Sequence, residues 1–217
     1  MIDTSILIDN WDSYLEGFRN TVLSSLLALA GSFVLGTLIA VCRISPWKGL
    51  NAFGAAYVEF FRNIPLLLVV YLFFLGLPAA GLVLNGFISG TLGLMIYTSA
   101  YIAEAIRAGI QAVPSGQTEA ARASGLSYGQ TMRHVVLPQA IKIVIPPISN
   151  QFLNLVKNSS ILGVVAGLDL MYFGDIVNSD TYDTVSSYAF VALFYLVLTI
   201  PLSWASRSLE RRLARSG

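Results

Sequence analysis

The chain of 217 residues has one cysteine, one histidine and few charges, with Asp, Glu, Lys and Arg together making up 12% of it. Soluble globular chains carry charge on about a quarter of their residues, so the deficit argues against an ordinary water-soluble domain. Cys42 has no second cysteine to bridge and reads as a packing residue at the end of an apolar run. His134 is alone of its kind, and a metal or catalytic role would leave it without partners. No Gly-x-x-x-x-Gly-Lys-Ser/Thr phosphate loop occurs, so the chain does not energise itself by the usual route. Paired histidines and Ser-Lys or Asp-Asp machinery are also missing, which argues against an intramembrane enzyme. The N-terminus, MIDTSILIDNWDSYLEGFRN, is acidic where a cleavable signal starts basic, so the first apolar run is expected to be retained.

What the chain does have is hydrocarbon, 55% of its residues being hydrophobic. Residues 21–42 and 184–206 carry no charge, and each is about as long as the roughly 20 residues that cross a bilayer as a helix. The uncharged run 64–103 would be near 60 Å long as one helix, about twice the hydrocarbon thickness. It must fold back, and Gly76, Pro78, Gly81, Asn85, Gly86 and Gly90 mark the turn. The run 143–168 is interrupted only by Lys157. These lengths predict an all-α integral membrane protein with one domain, residues 1–217, and five transmembrane helices. The expected spans are about 20–42, 63–83, 88–109, 144–166 and 185–207, with a polar loop at 110–142. Gly31 and Gly36 allow close helix packing, and Trp11, Trp47 and Trp204 fall near the expected interfaces, as an aromatic belt would.

Lys and Arg favour cytoplasmic flanks, and five spans put the termini on opposite sides. With the N-terminus outside and the C-terminus inside, the inner segments hold Arg43, Lys48, Arg122, Arg133, Lys142, Arg207, Arg211, Arg212 and Arg215. The outer ones hold Asp3, Asp9, Asp12, Glu16, Asp169, Asp175, Asp180 and Asp183, with Arg19 as their only clear cation. This assignment places the loop 110–142 in the cytoplasm. On the outer side, Asp169 is expected to cap a short helix.

The loop contains EAARASGLSYGQTMRHVVLP, residues 119–138. Pro114 and Ser115 suit a helix start, with Ser115 as cap, and Gly125 suits its stop. Ser127 and Gln130 then form an S-x-x-Q capping box for a second helix ending at Pro138. Ala120, Ala121 and Ala123 leave the first helix nearly bare for a close-approaching partner, and Glu119 stands an i,i+3 step from Arg122. By pattern alone, an amphipathic loop on the membrane surface fits as well. A DNA-reading helix-turn-helix does not, given two cations and a membrane tether on each side.

The spacing Glu119-Ala120-Ala121, three residues, Gly125, nine residues, Val135-Val136-Leu137-Pro138 resembles the "EAA" loop of importer-type ABC transporter permeases. Arg62-Asn63-Ile64-Pro65-Leu66-Leu67, Ala100-Tyr101-Ile102-Ala103-Glu104, Gly116-Gln117, Leu137-Pro138-Gln139-Ala140 and Leu155-Val156-Lys157-Asn158-Ser159-Ser160 extend the likeness to polar amino-acid permeases of the histidine/glutamine type. The departures are Asn63-Ile64 where Gly-Thr is usual, Ser160-Ile161 where Ser-Leu is commoner, and valine where the loop often has isoleucine. The resemblance implies an importer-type ABC permease fold in a bacterial inner membrane, with Gly116, Glu119, Ala120, Ala121 and Gly125 forming a coupling helix for a cytoplasmic ATPase dimer. It also implies a second permease, identical or paralogous, and an extracytoplasmic binding protein. No cofactor is expected on this chain, ATP and Mg being used by the partner ATPase, and no nucleic acid is expected as a partner. An ion-coupled secondary carrier is the competing reading.

Charge inside a bilayer is costly and by default functional. If Pro146 and Pro147 start span 4, Lys157 lies roughly 15 Å further on, near the midplane. Asn150, Asn154 and Asn158 form a polar stripe beside it, and Asn158-Ser159-Ser160 would break the span into half-helices. Glu104 on span 3 is a candidate ion-pair partner for Lys157, although Arg107 stands close enough to neutralise it. The expected substrate path is Tyr97, Tyr101, Glu104, Asn154, Lys157, Asn158 and Ser159.

Overall fold

The structure, a computed structural model, describes residues 2–215, with side chains described through Arg212; Arg215, counted among the inner cations, lies beyond the described side chains. It begins with α1 (Thr4–Asp9), α2 (Trp11–Ile44) and α3 (Lys48–Asn63). Next, α4 (Leu66–Tyr71) runs through a π-turn (Leu72–Gly76) into α5 (Leu77–Ala79), and α6 (Gly86–Gln111) follows. The polar loop holds α7 (Ser115–Ala123) and α8 (Tyr128–Thr131), which passes through a second π-turn (Met132–Val136) into α9 (Leu137–Asn158). A 3₁₀ segment (Ser159–Val165), α10 (Leu170–Thr181) and α11 (Thr184–Arg215) complete the chain. No strand occurs among the described residues.

Three helices, Trp11–Ile44, Gly86–Gln111 and Thr184–Arg212, are each long and apolar enough to cross a membrane. Two bent pairs, Lys48–Asn63 with Leu66–Ala79 and Tyr128–Val165 with Leu170–Thr181, bring the number to five when each pair counts as one span. The centre of the bundle is α2 against α6. A Cβ on Gly31 would lie 2.1 Å from Met95 Sδ, and one on Gly36 would lie 2.8 Å from the Ser99 carbonyl oxygen. Both glycines therefore let the two helices approach as small residues do in lipid. Trp11, Trp47 and Trp204 are all exposed.

The second expected span, 63–83, is not one straight helix. Pro65 forces Ile64 into extended backbone (φ −110°, ψ 147°), as a proline does to the residue before it. The result is an elbow of 110° between α3 and α4. The expected turn does form, with Gly81 at φ +82° and Asn85 accepting from Ile88 N at 2.8 Å to cap α6. Pro78, though, lies inside a helix and not in that turn.

Pro138 was expected to end its helix and does not. A proline lacks the N–H for its own turn, and its ring crowds the carbonyl four residues back. Here the preceding turn widens, so that Leu137 N donates to Met132 O, five residues back. Leu77 does the same to Leu72 O ahead of Pro78. Each Leu-Pro pair thus follows a π-turn that opens the helix before the ring. Pro146 and Pro147 likewise lie within α9 and do not start it. The helix persists through them because Val144 and Ile148 are packed against Ile102, and Gly109 leaves room for the Val144 side chain.

The expected break at Asn158-Ser159-Ser160 is a tightening and not an interruption. The helix continues as 3₁₀, with Ser159 Oγ donating to Val156 O (2.7 Å) and Ser160 Oγ to Lys157 O (3.0 Å). The direction changes later, where Ala166 and Leu168 take positive φ. Asp169 then caps α10 as expected, accepting from Met171 N and Tyr172 N. Tyr14 and Leu170 anchor that end of the bundle in a cluster with Phe190 and Val191.

Candidate functional site

The polar loop is built as a fixed shape. Val113, Val136 and Ala140 form its buried base, with Ile110 and Met132 packed on them. Pro114 occupies the cap position of α7 and Ser115 is its first helical residue, with no side-chain cap bond, so the expected Ser115 cap is not made. At the other end Gly125 has φ +86°. Leu126 N donates to Ala121 O (3.2 Å) and Gly125 N to Arg122 O (3.0 Å), the paired bonds of a Schellman stop. The capping box forms in both directions, Gln130 N to Ser127 Oγ at 3.3 Å and Ser127 N to Gln130 Oε1 at 2.8 Å.

Gly116, Glu119, Ala120, Ala123 and Gly125 are exposed on this loop, whereas Ala121 is buried against its base and is not part of the bare surface. Arg122 turns away from Glu119 and donates to Leu126 O at 2.9 Å, bracing the helix end. Glu119 makes no ion pair or hydrogen bond among the described residues. The loop thus presents an exposed acid beside small residues, next to a glycine turn.

The expected substrate-path residues fall into two groups. On α6, the Tyr97 and Tyr101 hydroxyls meet at 3.0 Å. Arg62, in the last turn of α3, lies over the Tyr101 ring at 5.4 Å from its centroid. Glu104, one turn further along α6, is gripped from two sides. Arg43 Nη1 donates to its Oε2 at 2.6 Å, and Arg107 donates to both oxygens, Nη2 to Oε1 at 2.6 Å and Nε to Oε2 at 3.0 Å. Asn51 Nδ2 in turn donates to the Arg43 carbonyl. Glu104 is therefore not the partner of Lys157.

Lys157 is exposed and makes no ion pair among the described residues. It lines a groove of about 510 Å³ with Ser160, Tyr188, Tyr195 and Thr199. It also borders a second groove of about 530 Å³ with Ser203, Trp204 and Arg207. Asn154 is exposed and Asn158 half-buried beside it, while Ser159 is buried. Among the described residues no hydrogen bond or ion pair links the Lys157 group to the Tyr97–Glu104 group. The sequence reading missed Arg43 and Arg62 as members of the α6 cluster. Arg43 stands 61 residues from Glu104, and only its opposite charge at the end of an apolar run could have signalled the pairing.

Bilayer-length helices, charged groups held among them and a polar loop with an exposed acid describe a multi-pass membrane protein with a structured polar loop. Residues 32–215 match the binding-protein-dependent transport system inner membrane component, and the chain belongs to that family. It is thus a multi-pass component of the bacterial inner membrane, with the fold of an importer-type ABC permease. It is 64% identical over 215 residues to the probable glutamine ABC transporter permease protein GlnM of Bacillus subtilis, covering 99% of this chain and 100% of the relative. To the glutamate transport system permease protein GluC of Corynebacterium glutamicum it is 34% identical over 224 residues, covering 97% and 98%. A chain in the crystal structure of an amino acid ABC transporter with histidines superposes with a TM-score of 0.92 at 35% identity, covering 98% of this chain and 99% of that one.

Proposed function

We propose that this chain is the transmembrane subunit of an ATP-driven importer that carries a polar amino acid, of the glutamine/glutamate or basic class, into the cytoplasm. The observation that carries the reading is the rigid helix–glycine–helix loop, which leaves Glu119 exposed and unpaired. The names of the relatives supply the substrate class. The N-terminus faces outward and the loop inward, in keeping with the distribution of Lys and Arg. The loop, with Gly116, Glu119, Ala120 and Gly125 on its open face, sits in a groove of a separate ATPase dimer, which binds ATP and Mg. Ala121 supports that face from beneath. A second permease, identical or paralogous, completes the pathway, and a binding protein delivers the amino acid from outside.

In this mechanism ATP binding draws the two ATPase subunits together and carries the docked loops with them. Because α8, the π-turn and α9 form one continuous helix, motion of the loop reaches Lys157 directly. Exposure of the mid-depth polar groups then alternates between the two sides. Tyr97, Tyr101, Glu104, Asn154, Lys157, Asn158 and Ser159 border the path, the Tyr97–Glu104 group along α6 and the Lys157 group along the α9–α11 face.

The test is uptake of radiolabelled amino acid by proteoliposomes holding the permease, its ATPase and the binding protein. Uptake is expected to need ATP and to stop with vanadate. Glu119→Lys and Gly125→Pro are each expected to lower uptake at least tenfold while the helical content of the permease stays normal. Uptake that proceeds without ATP would overturn the proposal in favour of an ion-coupled carrier, which has no use for such a loop.

A further inference from the structure

Arg207, toward the C-terminal end of α11, points away from the water that its charge favours. Long cationic side chains near the end of a span ordinarily reach outward to the aqueous side. Arg207 Nη2 instead donates to Ser203 Oγ at 2.9 Å, one turn back toward the middle of the helix. There it lines the groove of about 530 Å³ between α9 and α11, which Lys157 of α9 also lines. Lys157 opens as well onto the neighbouring groove beside Tyr188 and Tyr195, further back along α11, so it marks the deep end of this one.

No acid lines this groove. Glu210, three residues on from Arg207, accepts from Ser206 Oγ at 3.2 Å, and neither Lys157 nor Arg207 makes an ion pair among the described residues. Arg211 continues the basic stripe one turn beyond Arg207. Two cations on one groove in an apolar setting repel each other, and an anion between them removes the repulsion. The other surroundings say what carries that anion. Leu196, Ile200 and Trp204 follow one another at four-residue steps on α11, all exposed, and form an apolar stripe that runs from the cations toward mid-depth. An exposed indole beside cations near the end of a span suits the headgroup region of a bilayer.

We infer that this groove holds an anionic phospholipid, its phosphate between Arg207, Ser203 and Lys157 and an acyl chain along Leu196 and Ile200. On the orientation proposed above, the lipid belongs to the inner leaflet. Arginine suits the task because its planar fork matches phosphate oxygens, and the Ser203 hydroxyl holds that fork in the groove. Basic pockets between spans on the cytoplasmic side take anionic headgroups in this way. The lipid bridges α9 and α11, which otherwise present like charges to each other. The site does not depend on which amino acid is carried.

The experiment titrates the purified permease–ATPase complex, in detergent, with phosphatidylglycerol or with phosphatidylcholine of the same acyl chains, and counts bound lipid by native mass spectrometry. Wild type is expected to bind phosphatidylglycerol about tenfold more tightly than phosphatidylcholine. Arg207→Gln is expected to weaken phosphatidylglycerol binding roughly tenfold, the scale of one charge-assisted contact, and to leave phosphatidylcholine binding unchanged. Arg207→Lys should recover part of that loss. Ile200→Trp fills the groove with both cations in place and should weaken phosphatidylglycerol binding as well. Arg212→Gln removes the same charge from a position about 140° around the helix and should stay within about twofold of wild type. Equal binding of phosphatidylglycerol by wild type and Arg207→Gln would overturn the inference, and so would an equal loss in Arg212→Gln, which would reduce the effect to net charge. Inorganic phosphate that competes as well as the lipid would overturn it too, because the groove would then be an anion site without a lipid. Loss of the second permease from purified Arg207→Gln complex would do the same, by showing that the groove faces an acid on that subunit. Binding in detergent needs neither transport nor substrate, so its outcome is read separately from the uptake assay above.

Discussion

Glu104 and Lys157 are both charged groups in apolar helices, yet the protein treats them in opposite ways. Glu104 is closed off by two arginines from α2 and α6, each at 2.6 Å. Lys157 opens onto two grooves and makes no ion pair among the described residues. A charge satisfied within the chain ties helices together, and a charge left open within a membrane awaits something else. The difference separates a charge whose hydrogen bonds are met within the chain, even where it borders the proposed path, from one left open to substrate or partner, a distinction that residue type alone does not make.

The most severe way to break this comparison is to remove the centre of the joint. Glu104→Leu strands Arg43 and Arg107 without an anion, and a loss of about 3 kcal/mol is expected, toward the low end for buried pairs because the cluster is partly exposed. A fall of several degrees in the unfolding midpoint in detergent would register it; an unchanged midpoint would show that the triad is not a joint. Lys157→Met and Asn158→Leu should do the reverse. Stability is expected to stay within about 0.5 kcal/mol of wild type, while uptake falls on the order of tenfold, equivalent to about 1.4 kcal/mol. Normal uptake at normal protein levels would remove Lys157 and Asn158 from the path. The smallest effect is expected from Arg43→Leu, near 1 kcal/mol, since Arg107 still donates to both oxygens of Glu104. Should Arg43→Leu cost as much as Glu104→Leu, the tie between α2 and α6 would be the dominant bond of the triad.

Most local signals in the sequence held, the Ser115 cap being an exception, since Pro114 takes the cap position. The Ser127–Gln130 capping box, the Asp169 cap and the Gly125 stop each involve groups within a few residues of one another, and each forms as the pattern predicts. Prolines were misread for the opposite reason. Pro78, Pro138, Pro146 and Pro147 all lie inside helices, because π-turns and packing from neighbouring helices accommodate rings that an isolated helix would not. Within the candidate site, the exposed Glu119 and Lys157 were legible as charges out of place in an oily chain. The Arg43–Glu104 bond was not, since it joins residues 61 apart whose meeting depends on how α2 lies along α6.

The sequence by itself determined that this is a membrane protein with about five crossings, a sided distribution of charge and a capped, glycine-hinged polar loop. Run length, charge content and capping chemistry act over one helix at a time, and a bilayer admits few alternatives to a helix. Only the tertiary structure decided which charges cancel and which stay open. That outcome depends on glycine-lined approaches such as Gly31 and Gly36, on the elbow at Pro65 and on the register between helices. Each of these places side chains to within an ångström or two, and a hydrogen bond between charged groups is won or lost over that distance.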